Sequence, residues 1–277
     1  MRGWWQDLTD LVLPAECGGC GRSRTVLCPE CRAALGGAAP RRVRPVPEPP
    51  GLPAVHAAAP YADEVRAALL AHKERGALAL AGPLGTALAG AVRAGLREAG
   101  ARVDVTRLDG AVLLVPVPSA RRAVRARGHD PARRIALAAA AELRRSGTPA
   151  RVLAALRQRR AVADQSGLNS RQRLDNLARA LEVTAGGGRL LLGGPVVLVD
   201  DLITTGASLS EAARTVRAAV YAAEAGEGMV EPNAGFGRKE GSSVYRAPEL
   251  GHAYRTGQVL CAAVVAAPPD SFEINRN

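Results

Sequence analysis

The pattern of hydrophobic and polar positions alternates along the chain between a helical and a strand-like period. Two runs, residues 111–117 and 195–200, are apolar almost throughout, and each predicts a buried strand. The remaining predicted elements are helices at residues 61–72, 82–100, 131–145, 170–181 and 208–220, a short strand at residues 152–156 and a further strand at residues 257–267. Strands that alternate with helices predict an α/β fold, in which a parallel sheet has helices on both faces.

Composition divides the chain into segments of different character. Residues 1–36 hold four of the five cysteines and predict a small module. Residues 37–60 contain seven prolines, which predicts a semi-rigid linker. Residues 61–267 form the main predicted domain, in which residues 221–256 lose periodicity and predict an irregular insertion. Residues 268–277 remain as a tail.

The positive charge is concentrated in one part of the chain. Between residues 119 and 173, fourteen arginines stand against three acids, which accounts for the whole formal excess of +11. Such a segment attracts polyanions, either nucleic acid or a ligand with several phosphates. A solvated arginine-rich surface explains the same charge, so charge alone does not decide between these interpretations.

The amino terminus predicts no export signal, because residues 1–13 contain no continuous apolar segment and no small-residue cleavage site. The longest apolar stretches, such as residues 135–141, are too short to cross a bilayer, so no membrane insertion is expected. We therefore expect a cytoplasmic protein. In a reducing compartment, closely spaced cysteine pairs bind metal more often than they form disulfides.

Four cysteines form two C-x-x-C pairs, Cys17 with Cys20 and Cys28 with Cys31. This spacing places four thiolates around one tetrahedral ion. A segment this short would draw its folding energy from the metal. The sequence therefore predicts structural Zn²⁺, with no coordination position left open for catalysis. Cys261 stands alone in an apolar strand and is expected in the core.

A run of polar residues follows the strand predicted at residues 195–200. It consists of two acids and then a turn of hydroxyls and glycine: Asp200, Asp201, Thr204, Thr205, Gly206, Ala207 and Ser208. Backbone N–H groups at a helix start favour a phosphate, and glycine lets the backbone approach it. Acids at the carboxyl end of a parallel strand suit ribose hydroxyls and a hydrated Mg²⁺. The run therefore predicts a site for a ribose 5-phosphate group.

Residues 196–208 resemble the phosphoribosyl pyrophosphate (PRPP) signature of type I phosphoribosyltransferases, an apolar strand followed by two acids and a Thr-Thr-Gly turn. Further segments are similar to the ComF family of competence-associated proteins. They are the Trp-rich start with its C-x-x-C pairs, Tyr61, residues 73–76, 115–119 and 127–130, Arg160, and residues 165–168 and 171–176. The chain departs from the family at His129, where an aromatic residue is frequent, and at residues 221–256, where a short turn is usual.

The resemblance implies a type I phosphoribosyltransferase-like fold with an amino-terminal zinc-ribbon-like module. It implies that Asp200 and Asp201 are catalytic acids that hold the ribose of Mg²⁺-bound PRPP, while residues 204–208 hold the 5-phosphate. Pro118, Ser119 and Arg121 would lie on the pyrophosphate side. The implied function is PRPP binding, with phosphoribosyl transfer to an unidentified acceptor, in natural competence or DNA processing.

Two alternatives remain at this point. The first is a non-catalytic PRPP- or nucleotide-binding adaptor, whose arginine segment and zinc module contact single-stranded DNA or a DNA-uptake helicase. The second is a zinc-dependent DNA-binding protein with an idle transferase fold. The complete acidic and phosphate motifs count against the second alternative.

Overall fold

The computed structural model describes residues 16–102, 110–159, 179–227 and 257–272. Over these ranges the chain is a mixed α/β fold, with a six-stranded, mostly parallel sheet flanked by helices and a cluster of four cysteines near the amino terminus. The predicted α/β class is confirmed at this level.

The sheet has the strand order β1-β2-β8-β7-β3-β4, and only the pair β1–β2 is antiparallel. A separate antiparallel ribbon consists of β5 and β6. The strands of the described ranges are β1 (Arg41–Val43), β2 (Val55–Pro60), β3 (Val112–Pro116), β4 (Ala150–Val152), β5 (Leu156–Gln158), β6 (Leu181–Val183), β7 (Val196–Leu202) and β8 (Val259–Ala267).

The described ranges contain seven helices, of which all but the fourth in chain order pack on the faces of this sheet. They are α1 (Pro29–Gly36), α2 (Asp63–Glu74), α3 (Ala81–Arg102), α4 (Arg121–Arg127), α5 (Pro131–Arg145), α6 (Gly187–Leu191) and α7 (Ala207–Glu227), with short 3₁₀ turns at Leu78–Leu80 and Pro269–Ser271. One hydrophobic core joins α1, α2, α3 and α5 to the first face. A second core joins α6 and α7 to the opposite face.

The elements with strong local signals lie close to their predicted positions. The apolar runs form β3 and β7, both buried. The start of α5 follows its capping chemistry, because the Asp130 carboxylate accepts a hydrogen bond from the amide of Arg133 at 3.2 Å and Pro131 occupies the first turn. Helix α3 continues two residues past Gly100, which was predicted to end it.

Three predictions about local structure need correction. The short strand predicted at residues 152–156 is two strands, β4 and β5, with a break between them. The predicted insertion at residues 221–256 begins with helix, because α7 continues to Glu227, and residues 228–256 lie outside the described ranges. Most of the helix predicted at residues 170–181 also lies outside them, and its last residue begins β6.

The proline-rich segment is part of the fold and not only a linker. It contributes β1 and β2, and β2 pairs in parallel with β8 in the middle of the chain's main sheet. The prolines fall between these strands and at their ends, where a missing amide costs little. The proline content therefore predicted the irregular part of this segment but gave no indication of strands β1 and β2.

The segment after β8 also packs on the sheet. Phe272 is buried and forms an antiparallel bridge with Val43, and the amide of Arg44 donates to the carbonyl of Ser271 at 2.7 Å. Residues 268–272 of the predicted tail thus cover the edge strand β1.

One helical segment, Leu78–Gly100, is long and apolar enough to cross a membrane by length and composition alone. The sequence shows no continuous apolar run of that length here, because glycines, two arginines and Glu98 interrupt the apolar residues of the segment. In the fold, half of the apolar window is buried. The buried side belongs to the core beneath the first sheet face, as is common for a core helix.

Candidate ligand site and cysteine cluster

Two segments are predicted to form a ligand site, one at residues 118–121 and one at residues 200–208. They lie at and after the ends of the neighbouring strands β3 and β7. In the sheet, β3 lies between β4 and β7. The strand that follows β3 in sequence, β4, pairs with one side of it, and β7 pairs with the other side. Pro116 is paired with Val199, and the amide of Val117 donates to the carbonyl of Val199 at 2.9 Å. The loops after β3 and β7 therefore diverge from one point of the sheet edge, which is where open α/β sheets form a ligand crevice.

The two acids lie within the end of β7, because the strand continues to Leu202. Asp201 is 7% exposed and Asp200 is half-buried. The amide of Asp201 donates to Oδ1 of Asp200 at 2.8 Å. Burial, followed by repulsion from the Asp201 charge, raises the pKa of Asp200 well above its usual range. A cation bound beside it would favour its ionised form.

Lys73, near the end of α2, forms an ion pair with Asp201. Its Nζ lies 2.9 Å from Oδ2 of the carboxylate. Burial acts to lower the pKa of Lys73, but the charge of Asp201 and the hydrogen bond to it outweigh burial and raise that pKa. The ammonium is therefore charged and compensates one of the two acids.

The last turn of α2 is held in place through three consecutive residues. The carbonyl of His72 is 3.2 Å from Nε2 of His129, Lys73 pairs with Asp201, and Glu74 pairs with Arg127 at 3.3 Å. His72 is fully buried, and its ring meets that of His129 edge to face at 5.6 Å. Sequence reasoning missed the connection of Lys73 to the acids, because 128 residues separate the partners.

The loop after β7 leads directly into α7, which begins at Ala207, one residue before the predicted start. Thr204 is exposed, Thr205 is half-buried and Gly206 is buried. The first turn of a helix carries N–H groups without partners inside the helix and a partial positive charge. Hydroxyl and N–H donors thus follow within a few residues of the two acids.

Gly206 also has a role in the packing of the fold. Its φ is +75°, a conformation that strongly favours glycine, and a Cβ there would lie 3.1 Å from Leu52 and 3.2 Å from Pro49. The proline-rich segment therefore packs directly on this loop. It also accepts hydrogen bonds from α7, since Ser210 Oγ lies 2.7 Å from the carbonyl of Pro50.

The loop after β3 presents arginines. A cleft of about 290 Å³ opens beside Pro118, Ser119, Arg121, Val124, Arg125, Asp130 and residues 156–158. Arg121 and Arg125 are exposed on α4. The hydroxyl of Ser119 donates to Asp130 at 3.4 Å, and Asp130 also caps α5, so the acid of this cleft is already hydrogen-bonded. The cleft therefore favours anions.

The four cysteines come together as predicted. Their Sγ atoms all lie within 4.8 Å of one another, and those of Cys20 and Cys28 are 3.6 Å apart. Four sulfurs at about 2.3 Å from one zinc ion would be about 3.8 Å apart. The amide of Cys28 donates to Sγ of Cys17 at 3.3 Å, which favours a thiolate. The four cysteines are thus close enough to bind a metal ion such as zinc.

Hydrogen bonds prepare Cys17 to be a ligand. Burial acts to raise its pKa, but hydrogen bonds from the backbone at Cys20, Cys28 and Gly19 and from Cys31 outweigh it and lower the pKa of Cys17 to about 6. Burial raises the pKa of Cys31, so a metal ion must displace its proton. Cys261 lies apart from the cluster, buried in β8 as expected.

The cysteine segment shares the main core. Leu27, Leu35 and three of the cysteines belong to the same buried cluster as α2 and α3. A Cβ on Gly18 would lie 2.5 Å from Leu80, and one on Gly19 would lie 3.3 Å from Cβ of Glu64. The predicted module is therefore packed against α2, the helix that carries Lys73.

No protein-family model matches the chain, and no curated protein matches it significantly. Several segments that carried the resemblance, among them Arg160 and residues 165–168 and 171–176, lie outside the described ranges.

Proposed function

We propose that the chain is a type I phosphoribosyltransferase-like protein of the ComF kind, which binds PRPP or a ribose 5-phosphate ligand with Mg²⁺. The observation that carries this proposal is that two neighbouring parallel strands, β3 and β7, lead to groups of opposite charge at the same edge of the sheet. Asp200 and Asp201 lie at the end of β7, and Arg121 and Arg125 lie on α4, which follows β3. A sugar that carries phosphates at both ends needs both kinds of group.

Each part of PRPP has suitable partners in this arrangement. The donors of residues 204–208 suit the 5-phosphate, and the acids suit the ribose hydroxyls. Pro118, Ser119 and Arg121 lie on the side that suits the pyrophosphate. Asp200 and Asp201 would hold hydrated Mg²⁺, whose charge would offset the burial and the Asp201 charge that raise the pKa of Asp200.

Transfer from such a site would proceed at the anomeric carbon. The bond from this carbon to the pyrophosphate oxygen breaks, and the leaving pyrophosphate takes the electron pair. A nucleophile of the acceptor then supplies the electron pair of the new bond. The acids would stabilise the positive charge that develops on the ribose, and the arginines the negative charge on the leaving group.

The cysteine cluster supports a second part of the proposal, a structural Zn²⁺ held by Cys17, Cys20, Cys28 and Cys31. Four sulfur ligands saturate the ion, so its contribution is to the fold. Because the cluster packs on α2, this contribution would extend to the helix that carries Lys73.

The exposed arginines also support the alternative of an adaptor that binds PRPP without catalysis and contacts single-stranded DNA or a DNA-uptake helicase. Arg121 and Arg125 would then serve nucleic acid, which binds through phosphate neutralisation. The two functions share the PRPP site and differ in turnover.

Calorimetric titration of the purified protein with PRPP and Mg²⁺ tests the shared claim. We expect saturable binding that requires the cation. A screen of purine, pyrimidine and other acceptors for pyrophosphate release then separates the two functions. Absence of binding at millimolar PRPP would refute the proposal, and binding without release for any acceptor would favour the adaptor.

A further inference from the structure

The carboxylate that pairs with Lys73 in the ligand-free protein, that of Asp201, is one that a divalent cation would also bind. Its ammonium lies 2.9 Å from Asp201 and is itself about one-third exposed. A divalent cation that binds the same carboxylate brings two further positive charges to that place. The cation and the ammonium therefore compete for Asp201.

A second cation lies close to this ion pair. Arg127 is near enough to act electrostatically against the charge on Lys73, and its Nε is 3.3 Å from Glu74. Its Nη1 is buried and has no hydrogen-bond partner within the described part of the chain. A buried guanidinium nitrogen without an acceptor is costly, which favours an acceptor supplied by a ligand.

We propose that Lys73 is a ligand-binding residue that exchanges partners. Without ligand it neutralises Asp201. When a divalent cation takes Asp201, the released ammonium, together with Nη1 of Arg127, binds the diphosphate group that arrives with the cation. This inference rests on the proposed function and adds a binding residue from α2, an element outside the two loops that the sequence identified.

The anchored end of α2 makes such an exchange feasible without rearrangement of the fold. His72 and Glu74 hold the backbone on either side of Lys73 through contacts that do not involve Asp201. Only two flexible side chains have to move: that of Lys73, and that of Arg127, whose buried Nη1 must become accessible to the diphosphate. A free ammonium on a fixed backbone beside a guanidinium is a suitable pair of donors for a diphosphate.

The test compares Lys73→Met with wild type at pH 8, with two probes, Mn²⁺ alone and magnesium pyrophosphate. Removal of the competing ammonium should let Mn²⁺ bind more tightly, by about threefold to tenfold, because a like charge leaves the metal site. Magnesium pyrophosphate should bind about tenfold more weakly, because a charge-assisted hydrogen bond to the phosphate is lost. Arg75→Met, which removes a charge from the same end of α2, is the matched control and should change neither affinity.

A purely structural role for Lys73 would move both affinities in the same direction, and that result would overturn the inference. Unchanged affinities would overturn it as well. Lys73→Arg keeps the charge and should retain most of the pyrophosphate affinity. It replaces Lys73→Met as the test if the latter does not fold, and a loss of about tenfold in the pyrophosphate affinity of Lys73→Arg relative to wild type would then contradict the proposal.

The two proposals fail in distinguishable ways. If the wild type binds magnesium pyrophosphate but not PRPP, and the opposite shifts in Lys73→Met are found, the proposed function is wrong and the role of Lys73 stands. If PRPP binds but neither probe responds to Lys73→Met, only the role of Lys73 is wrong. If the wild type binds neither probe and does not bind PRPP, both are wrong.

Discussion

The loops after β7 and β3 leave the sheet side by side, yet they are constrained very differently. The acids on β7 are held by the strand, by Lys73 of α2, and by the packing of Leu52 on Gly206. The arginines Arg121 and Arg125 stand exposed on a short helix. The acidic side of the site is therefore preorganised in the ligand-free protein, whereas the basic side resembles an ordinary solvated surface.

This difference indicates which side depends on the rest of the fold. Three segments support the acids at the end of β7 and the loop that follows them. They are the cysteine segment through α2, the proline-rich segment through Gly206, and α7 itself. Among the described residues, the basic side is supported by the hydroxyl and capping contacts of Asp130 and, at the end of α4 away from Arg121, by the contacts of Arg127 and His129 with α2. Substitutions far from the site should therefore destabilise the acidic side more than the basic side.

Loss of the metal should have the largest effect. Cys20 is the exposed member of the cluster, so Cys20→Ser removes little packing and acts mainly through the metal. We expect metal analysis to show about one zinc per chain in wild type, and Cys20→Ser to lower the thermal midpoint by at least ~5 °C, because metal binding contributes folding energy.

Hydrogen exchange in Cys20→Ser locates the effect of metal loss. Amides of α2 should lose protection more than those of residues 117–127. Protein purified without chelator that carries no zinc would contradict the prediction. Equal loss of protection on both sides would show that the acidic side has no special dependence on the cysteine segment. Cys261→Ser, at a buried cysteine outside the cluster, controls for the loss of a thiol and should retain zinc.

Reversal of the exposed arginines should change ligand affinity and leave stability almost unchanged. Arg121→Glu with Arg125→Glu should weaken magnesium pyrophosphate about tenfold or more, because two attractive charges become repulsive. If the surface also serves single-stranded DNA, that binding should fall steeply with salt and be lost in the same variant.

The matched control for this reversal is Arg145→Glu with Arg189→Glu, which gives the same charge change at exposed positions on α5 and α6. A similar loss of pyrophosphate affinity in both variants would show that only net charge matters. The arginine cleft would then have no specific role.

Substitution at Gly206 should have the smallest effect of the series. Gly206→Ala places a Cβ at positive φ, 3.1 Å from Leu52, and we expect a loss of about 1 kcal/mol in unfolding free energy. Gly82→Ala in the first turn of α3, where a Cβ meets nothing within 4 Å, is the control and should be neutral or slightly stabilising. Chemical denaturation measures the unfolding free energies of both variants. Equal values for Gly206→Ala and Gly82→Ala would contradict the proposed backbone constraint at Gly206.

Local signals predicted the parts of the fold that local chemistry determines. The apolar runs of β3 and β7 and the Asp-Pro start of α5 needed no knowledge of the rest of the chain. Strands β1 and β2 were missed because they are short, lie among prolines, and have alanines and a histidine where a strand pattern would show larger apolar residues. The position of β2 is determined by pairing with β8, a contact across more than 200 residues of sequence, and that of β1 by pairing with β2.

The same distinction applies to the site. The acids, the hydroxyl turn and the cysteine spacing are contiguous or closely spaced, so the sequence identifies them directly. Lys73, Arg127 and Leu52 belong to other segments, and only the folded chain brings them to the acids or to the loop that follows. A lysine in an amphipathic helix carries no sign of its distant partner.

The most direct test of the account is the PRPP affinity of Asp200→Asn with Asp201→Asn, measured by calorimetry with Mg²⁺ beside wild type. A control variant, Glu142→Gln with Glu224→Gln, changes the net charge equally on α5 and α7, away from the starts of both helices. We expect the double Asn variant to fold and to lose PRPP affinity by at least about a hundredfold, because it loses both charges that would face the cation and the ribose. The control variant should bind as wild type does. PRPP affinity that is equal in the double Asn variant and in wild type would contradict the assignment of this sheet edge as the ligand site.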